Sequence, residues 1–75
     1  MEQYKNRGKD SDVTGYEIGD DWIKVQFRDG WIYTYTNQSA GQEAIERMKR
    51  LAVAGQGLNG YISRSVREAY ASKTK

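Results

Sequence analysis

Within Trp22-Ile23-Lys24-Val25-Gln26-Phe27, apolar and polar residues alternate from Ile23 to Phe27. Ile23, Val25 and Phe27 therefore share one face of an extended strand, and Lys24 and Gln26 share the other. β-branched and aromatic residues also recur from Val13 to Ile18, and Gly19, Asp20 and Asp21 stand between the two segments as turn formers. This pattern predicts two antiparallel strands. Asp29-Gly30 supplies a further hairpin turn, and Trp31 to Thr36 forms a third strand.

Beyond Thr36 the apolar period lengthens to that of a helix, with Ala44, Ile45, Met48, Leu51 and Ala52 spaced three and four apart. Ser39-Ala40-Gly41-Gln42 has the form of a capping box, so a helix is expected from there to about Ala54. Glu43 with Arg47 and Glu46 with Arg50 fall at the spacing of surface ion pairs. The glycines of AGQGLNG interrupt the pattern, and a second helix is expected from Leu58 or Asn59 to Tyr70, with Leu58, Ile62, Val66 and Ala69 inward. The predicted fold is α+β: a three-stranded antiparallel β-meander with two C-terminal α-helices packed on one face, in the order β-β-β-α-α. Residues 1–10, charged and with Tyr4 as their one aromatic, read as a flexible N-terminal arm. A single domain is expected over residues 11–71, and residues 72–75 read as a short basic tail.

Composition narrows the chemistry. A chain of 75 residues has room for one core, and it contains neither cysteine nor histidine. Disulfides, thiolate nucleophiles, imidazole bases and the usual zinc constellations are excluded, and no cofactor is called for. Ser39, Ser63 and Ser65 have no histidine to activate them, and Asp20, Asp21 and Asp29 serve better as turn residues than as metal ligands. The chain is expected not to be an enzyme. No apolar run approaches the roughly 20 residues of a membrane span, and the start MEQYKNRGKD lacks the hydrophobic segment of a signal peptide. A cytoplasmic protein with no membrane partner is the expectation.

The net charge of +2 is unevenly spread. Residues 10–29 carry −4, while residues 1–9 carry +2 and residues 30–75 carry +4. Such asymmetry can draw a polyanion to one side, or let copies of the chain dock as a homo-oligomer.

Trp31-Ile32-Tyr33-Thr34-Tyr35 is the sharpest candidate site, because exposed aromatics beside cations stack nucleic-acid bases. Its meaning depends on register. A two-residue turn at Asp29-Gly30 would put Trp31, Tyr33 and Tyr35 on the solvent face with Lys24 and Arg28. A three-residue loop, Arg28-Asp29-Gly30, would put Phe27 opposite Trp31 and send the aromatics into the core, leaving Ile32, Thr34 and Thr36 outside. The alternation of Tyr with Thr favours the second arrangement, since threonine is the easier residue to expose. The junction Gly55-Gln56-Gly57-Leu58-Asn59-Gly60, followed by Arg64 and Arg67, is a second candidate: amides at a helix start beside guanidinium groups can hold a phosphate. A tight turn between helices accounts for the same glycines. The basic termini, Lys5, Arg7 and Lys9 with Lys73 and Lys75, are a third, as salt-sensitive phosphate contacts or plain solvated tails.

Several of these residues carry a family likeness. Gly15-Tyr16, Val25-x-Phe27, Gly30, Tyr33-Thr34-Tyr35, Ala54 with Gly57, Asn59, Ile62 and Tyr70 together resemble the KTSC domain, a module named after the C-terminus of some lysyl-tRNA synthetases and also found alone in bacterial and phage proteins. The likeness spans Asp12 to Tyr70. The chain departs from the family pattern in having Asn37-Gln38-Ser39 where Val-Pro is common, and Leu58 in place of an aromatic. The resemblance implies RNA binding, by analogy with the synthetase. The leading expectation is accordingly a binding module for RNA or single-stranded nucleic acid, acting through the aromatics Trp31, Tyr33 and Tyr35 and the basic residues Lys24, Arg28, Arg47, Lys49, Arg50, Arg64 and Arg67. The alternatives are an oligomeric protein that sequesters a small anionic nucleotide near Gly57, Asn59 and Arg64, and a protein-protein interaction module.

Overall fold

A computed structural model describes residues 1–7 and 11–75. Its elements run β1 (Glu2–Gln3), β2 (Val13–Ile18), β3 (Trp22–Phe27), β4 (Ile32–Thr36), α1 (Asn37–Ala40), α2 (Gln42–Ala54), α3 (Leu58–Tyr61) continued by a π-helical turn over Ile62–Val66, and β5 (Ser72–Thr74). The fold is α+β, with one antiparallel sheet in the order β1-β2-β3-β4-β5. The sheet has five strands where the hydrophobic pattern predicts three. Both additions are short, polar edge strands contributed by the chain's ends, whose residues give no alternation to read.

The hairpin register follows the three-residue loop. Val25 lies opposite Tyr33, Ile23 opposite Tyr35, and Gln26 opposite Ile32. The Phe27 amide donates to the Trp31 carbonyl at 2.9 Å, which closes the loop around Arg28, Asp29 and Gly30. Gly30 sits at φ +94°, a left-handed conformation that disfavours any residue with a Cβ. Tyr35 is 1% exposed and belongs to the core, as the Tyr-Thr alternation favours, and the alternative that puts it on the solvent face beside Lys24 does not hold.

Val13, Ile23, Val25 and Tyr35 from the sheet meet Ile45, Met48 and Ala52 from α2 and Leu58, Ile62 and Val66 from α3 and the π turn in one buried cluster. The helical stripes read from the sequence thus face the sheet. Other local expectations change. Thr36, not the residue three positions later, is the N-cap: its hydroxyl accepts from the Ser39 amide at 3.0 Å, and the Ser39 hydroxyl accepts from the Thr36 amide at 3.0 Å. The box therefore opens the single turn of α1, and α2 begins separately after Gly41. Glu46 pairs with Lys49 at 3.3 Å rather than with Arg50. The second helix keeps α geometry only to Tyr61 and ends with the π turn at Val66 instead of running to Tyr70.

The N-terminal segment differs most from expectation. Tyr4 is 3% exposed, its amide donates to the Thr14 carbonyl, and its hydroxyl oxygen accepts from the Leu58 amide at 3.2 Å. The Arg7 amide donates to the Gly55 carbonyl at 2.7 Å, and its Nε to that of Ala54 at 3.0 Å. A Cβ at Gly55 would lie 2.7 Å from that of Lys5, so the segment is packed directly on the end of α2. Residues 1–7 are part of the fold; the remainder of the expected arm, residues 8–10, lies outside the described residues.

Candidate ligand-binding cleft

The β3–β4 hairpin fixes one wall of a cleft. Because Phe27 ends β3 on its inner face and Tyr33 and Tyr35 alternate onto the same face of β4, the three rings form a continuous aromatic floor. Phe27 and Tyr33 meet edge to face at 5.3 Å, as do Tyr33 and Tyr70 at 5.0 Å. These contacts hold Tyr33, which is only half-buried, in place. The opposite wall comes from the π turn. Its wider coil carries the buried Ile62 to the cleft, with Arg67 just beyond its end at the rim. Asp12, Arg28 and Asp29 complete the lining, and the cleft has a volume of about 480 Å³. That size suits a small organic ligand.

Charge at the rim is balanced between two guanidinium groups and two carboxylates. The four groups are not equally engaged. The Asp29 Oδ1 accepts from the Trp31 amide at 3.0 Å and so stabilises the hairpin loop. The Arg28 amide donates to the Asp12 carbonyl at 2.7 Å, and its Nη2 to the Ser11 carbonyl at 3.3 Å, which anchors the base of the loop to the residues just before β2. Arg67 is exposed. Burial pushes the Tyr35 phenol up to about 12, and the neighbouring Tyr33 and Tyr70 add to the shift, so this ring presents a neutral hydroxyl at any physiological pH.

Among the residues expected to bind, Arg28, Tyr33, Tyr35 and Arg67 come together here. The others do not line the cleft. Lys24 is on the outer face of the sheet, where its Nζ lies 5.6 Å from the Trp22 ring centroid. Trp31 stands beside the cleft, under Lys73 and Lys75, whose Nζ atoms lie 5.4 and 5.5 Å from its ring. The glycine-rich junction has one of its helix-start amides taken up within the fold. The Leu58 amide is occupied by the buried Tyr4 hydroxyl, and the Gly57 carbonyl accepts from the Tyr61 amide as the first bond of α3. Gly57, half-buried Asn59 and exposed Arg64 are not among the residues that line the cleft.

Sequence reasoning passed over Asp12, Phe27, Asp29 and Ile62 as site residues. Phe27 and Ile62 read as core from their periodicity, Asp29 as a turn residue, and Asp12 only as the start of the family likeness. No local signal says that these positions converge. Comparison of the chain with protein-family models, with curated proteins and with solved structures finds no match. Among the described residues no helix is long and apolar enough to cross a membrane.

Proposed function

We propose that this chain is a non-enzymatic binding module of the cytoplasm whose cleft takes a nucleotide unit, either free or at an exposed position of a single strand. One observation carries the reading: an aromatic floor of Phe27, Tyr33 and Tyr35 lies within the same cleft as the guanidinium groups of Arg28 and Arg67. A base is a flat π-system that gains from aromatic contact, and its phosphate gains from planar guanidinium donors. Asp12 offers a carboxylate acceptor for amino or hydroxyl groups between those two ends. An open sheet platform for a long strand has less support, because Tyr35 is buried and Tyr33 is on the face that the helices cover.

Kinship with the KTSC domain belongs to the same proposal. Phe27, Tyr33, Tyr35 and Ile62, all residues of that likeness, line the cleft, and Tyr70 packs edge to face on Tyr33. The motif would then mark a binding site rather than a core alone.

Calorimetric titration with mononucleotides and with short single-stranded RNA tests the reading. Saturable binding that weakens roughly tenfold in Arg67→Ser, as loss of a charged contact worth about 1.5 kcal/mol requires, and that is unchanged in Lys24→Ser, supports the cleft. Binding lost in Lys24→Ser but kept in Arg67→Ser moves the site to the outer face. No binding of either ligand class by the wild-type chain refutes the proposal.

A further inference from the structure

Ser72-Lys73-Thr74-Lys75 looks like a solvated tail in the sequence, yet β5 pairs with β4 in a defined register, Ser72 opposite Thr34, Lys73 opposite Tyr33 and Thr74 opposite Ile32. Side chains alternate across a strand, so Lys73 and Lys75 share a face with Tyr33, which is the face that forms the cleft floor. The Lys73 Nζ is 5.4, 5.9 and 5.7 Å from the ring centroids of Trp31, Tyr33 and Tyr70. The Lys75 Nζ is 5.5 Å from that of Trp31, and its Cε lies within 3.8 Å of where a Cβ on Gly30 would sit, at the tip of the loop that carries Arg28 and Asp29. Two ammonium groups are therefore held at the hairpin end of the cleft by ring faces. Among the described residues the one ion pair is Lys49 with Glu46, so neither lysine is neutralised by a carboxylate there.

We infer that Lys73 and Lys75 are binding residues that complete the cleft and select a ligand carrying two or more phosphate charges. The inference rests on the reading of the cleft as a nucleotide site and names the class of nucleotide it takes. Exposed cation–π contacts are weak, whereas an ammonium on a phosphate makes a charge-assisted hydrogen bond about twice as strong as a neutral one. Both lysines are exposed and flexible, so turning an ammonium from a ring face to a phosphate costs little. Beside a cleft in which Arg28 and Arg67 are balanced by Asp12 and Asp29, they add two positive charges that a ligand with a second phosphate can engage. Arg28 and Arg67 take the phosphate nearest the base, and the lysines take the next. That second phosphate can come from a nucleoside di- or triphosphate or from the neighbouring linkage of a short strand.

The test is titration of the full chain, and of the Lys73→Gln/Lys75→Gln double variant, with AMP, ADP, ATP and a single-stranded dinucleotide bearing a 5′ phosphate, at low and moderate salt. The wild-type chain should bind ADP and ATP more tightly than AMP. The double variant should lose roughly tenfold on ADP and ATP, as two exposed charge contacts of about 0.7 kcal/mol each would give. It should lose little on AMP and show a shallower salt dependence on the polyphosphates. Lys73→Arg/Lys75→Arg should keep the preference, which separates loss of charge from loss of the β5 pairing; melting curves check the fold of both variants. Dinucleotide binding tighter than ADP assigns the second phosphate to a strand, and the reverse order to a free polyphosphate. Equal binding of AMP and ATP by the wild-type chain, or ATP binding that survives the double glutamine substitution, overturns the role of the lysines while leaving the cleft. Failure of the wild-type chain to bind any of the four overturns the site itself and the inference with it.

Discussion

Replacing Tyr4 should unfold this protein far more readily than its position near the N-terminus implies. The ring is 3% exposed within the core cluster, and its hydroxyl oxygen accepts the Leu58 amide at 3.2 Å. Tyr4→Phe keeps the ring but leaves that buried amide without an acceptor, a cost of about 1–3 kcal/mol. Tyr4→Ala also removes the ring and opens a cavity, and the cost of truncating a large aromatic rises to about 3–5 kcal/mol. A domain of this length has roughly 4–11 kcal/mol in total, so the alanine variant should be at or near the edge of folding. Each kcal/mol lowers the midpoint of melting by about 4–8 °C in a domain this small. Thermal denaturation followed by far-UV circular dichroism should therefore show Tyr4→Phe melting at least about 5 °C below the wild-type chain, with Tyr4→Ala far lower or unfolded at room temperature. A Tyr4→Ala protein that melts with the wild-type chain would detach residues 1–7 from the core and refute the packing described here.

Two further outcomes follow from single residues. Unfolded tyrosine releases its proton near pH 10, whereas Tyr35 in the fold keeps it to about pH 12. The unfolded chain then binds fewer protons in that window, so the contribution is whole below about pH 10 and is lost as pH rises through about 12, a change on the order of 2–3 kcal/mol. Urea midpoints measured from pH 9 to 12 should fall less steeply in Tyr35→Phe than in the wild-type chain; parallel slopes would place the Tyr35 hydroxyl in water. Gly30→Ala forces a Cβ into a left-handed position at φ +94°, which should cost about 1–2 kcal/mol in urea unfolding. An unchanged midpoint would mean that the loop does not have the glycine-dependent geometry that sets the register.

Much of this architecture is legible where one residue class repeats against a physical period. The alternation in WIKVQF and the Tyr-Thr alternation of β4 state which face is buried, and a single glycine loop then fixes the pairing of Val25 with Tyr33. The stripe of Ile45, Met48 and Ala52 does the same for α2. What escapes such reading lacks a local period. Glu2–Gln3 and Ser72–Thr74 become strands only because β2 and β4 offer open edges to the chain's ends. Tyr4 is a lone aromatic among charges, and its partner, the Leu58 amide, is distant in sequence. The helix start was displaced because Thr36 and Ser39 form a capping box of their own, one turn before the serine-glutamine pair that the pattern favours. The cleft shows the same division. Its aromatic residues stand out in sequence, but their meeting with Arg67 depends on how the π turn crosses the sheet, and the position of Lys73 depends on a strand with no strand-like composition.

The most direct measurement of the central claim is an NMR titration of the ¹⁵N-labelled chain with ADP, following every backbone amide and the indole of Trp31. The cleft predicts saturable shifts confined to Asp12, Phe27 to Trp31, Tyr33, Tyr35, Ile62, Arg67 and the C-terminal residues Ser72 to Lys75. Shifts centred instead on Lys24 and Thr34 across the outer face of the sheet, or on Gly57 and Asn59 at the helix junction, would contradict it.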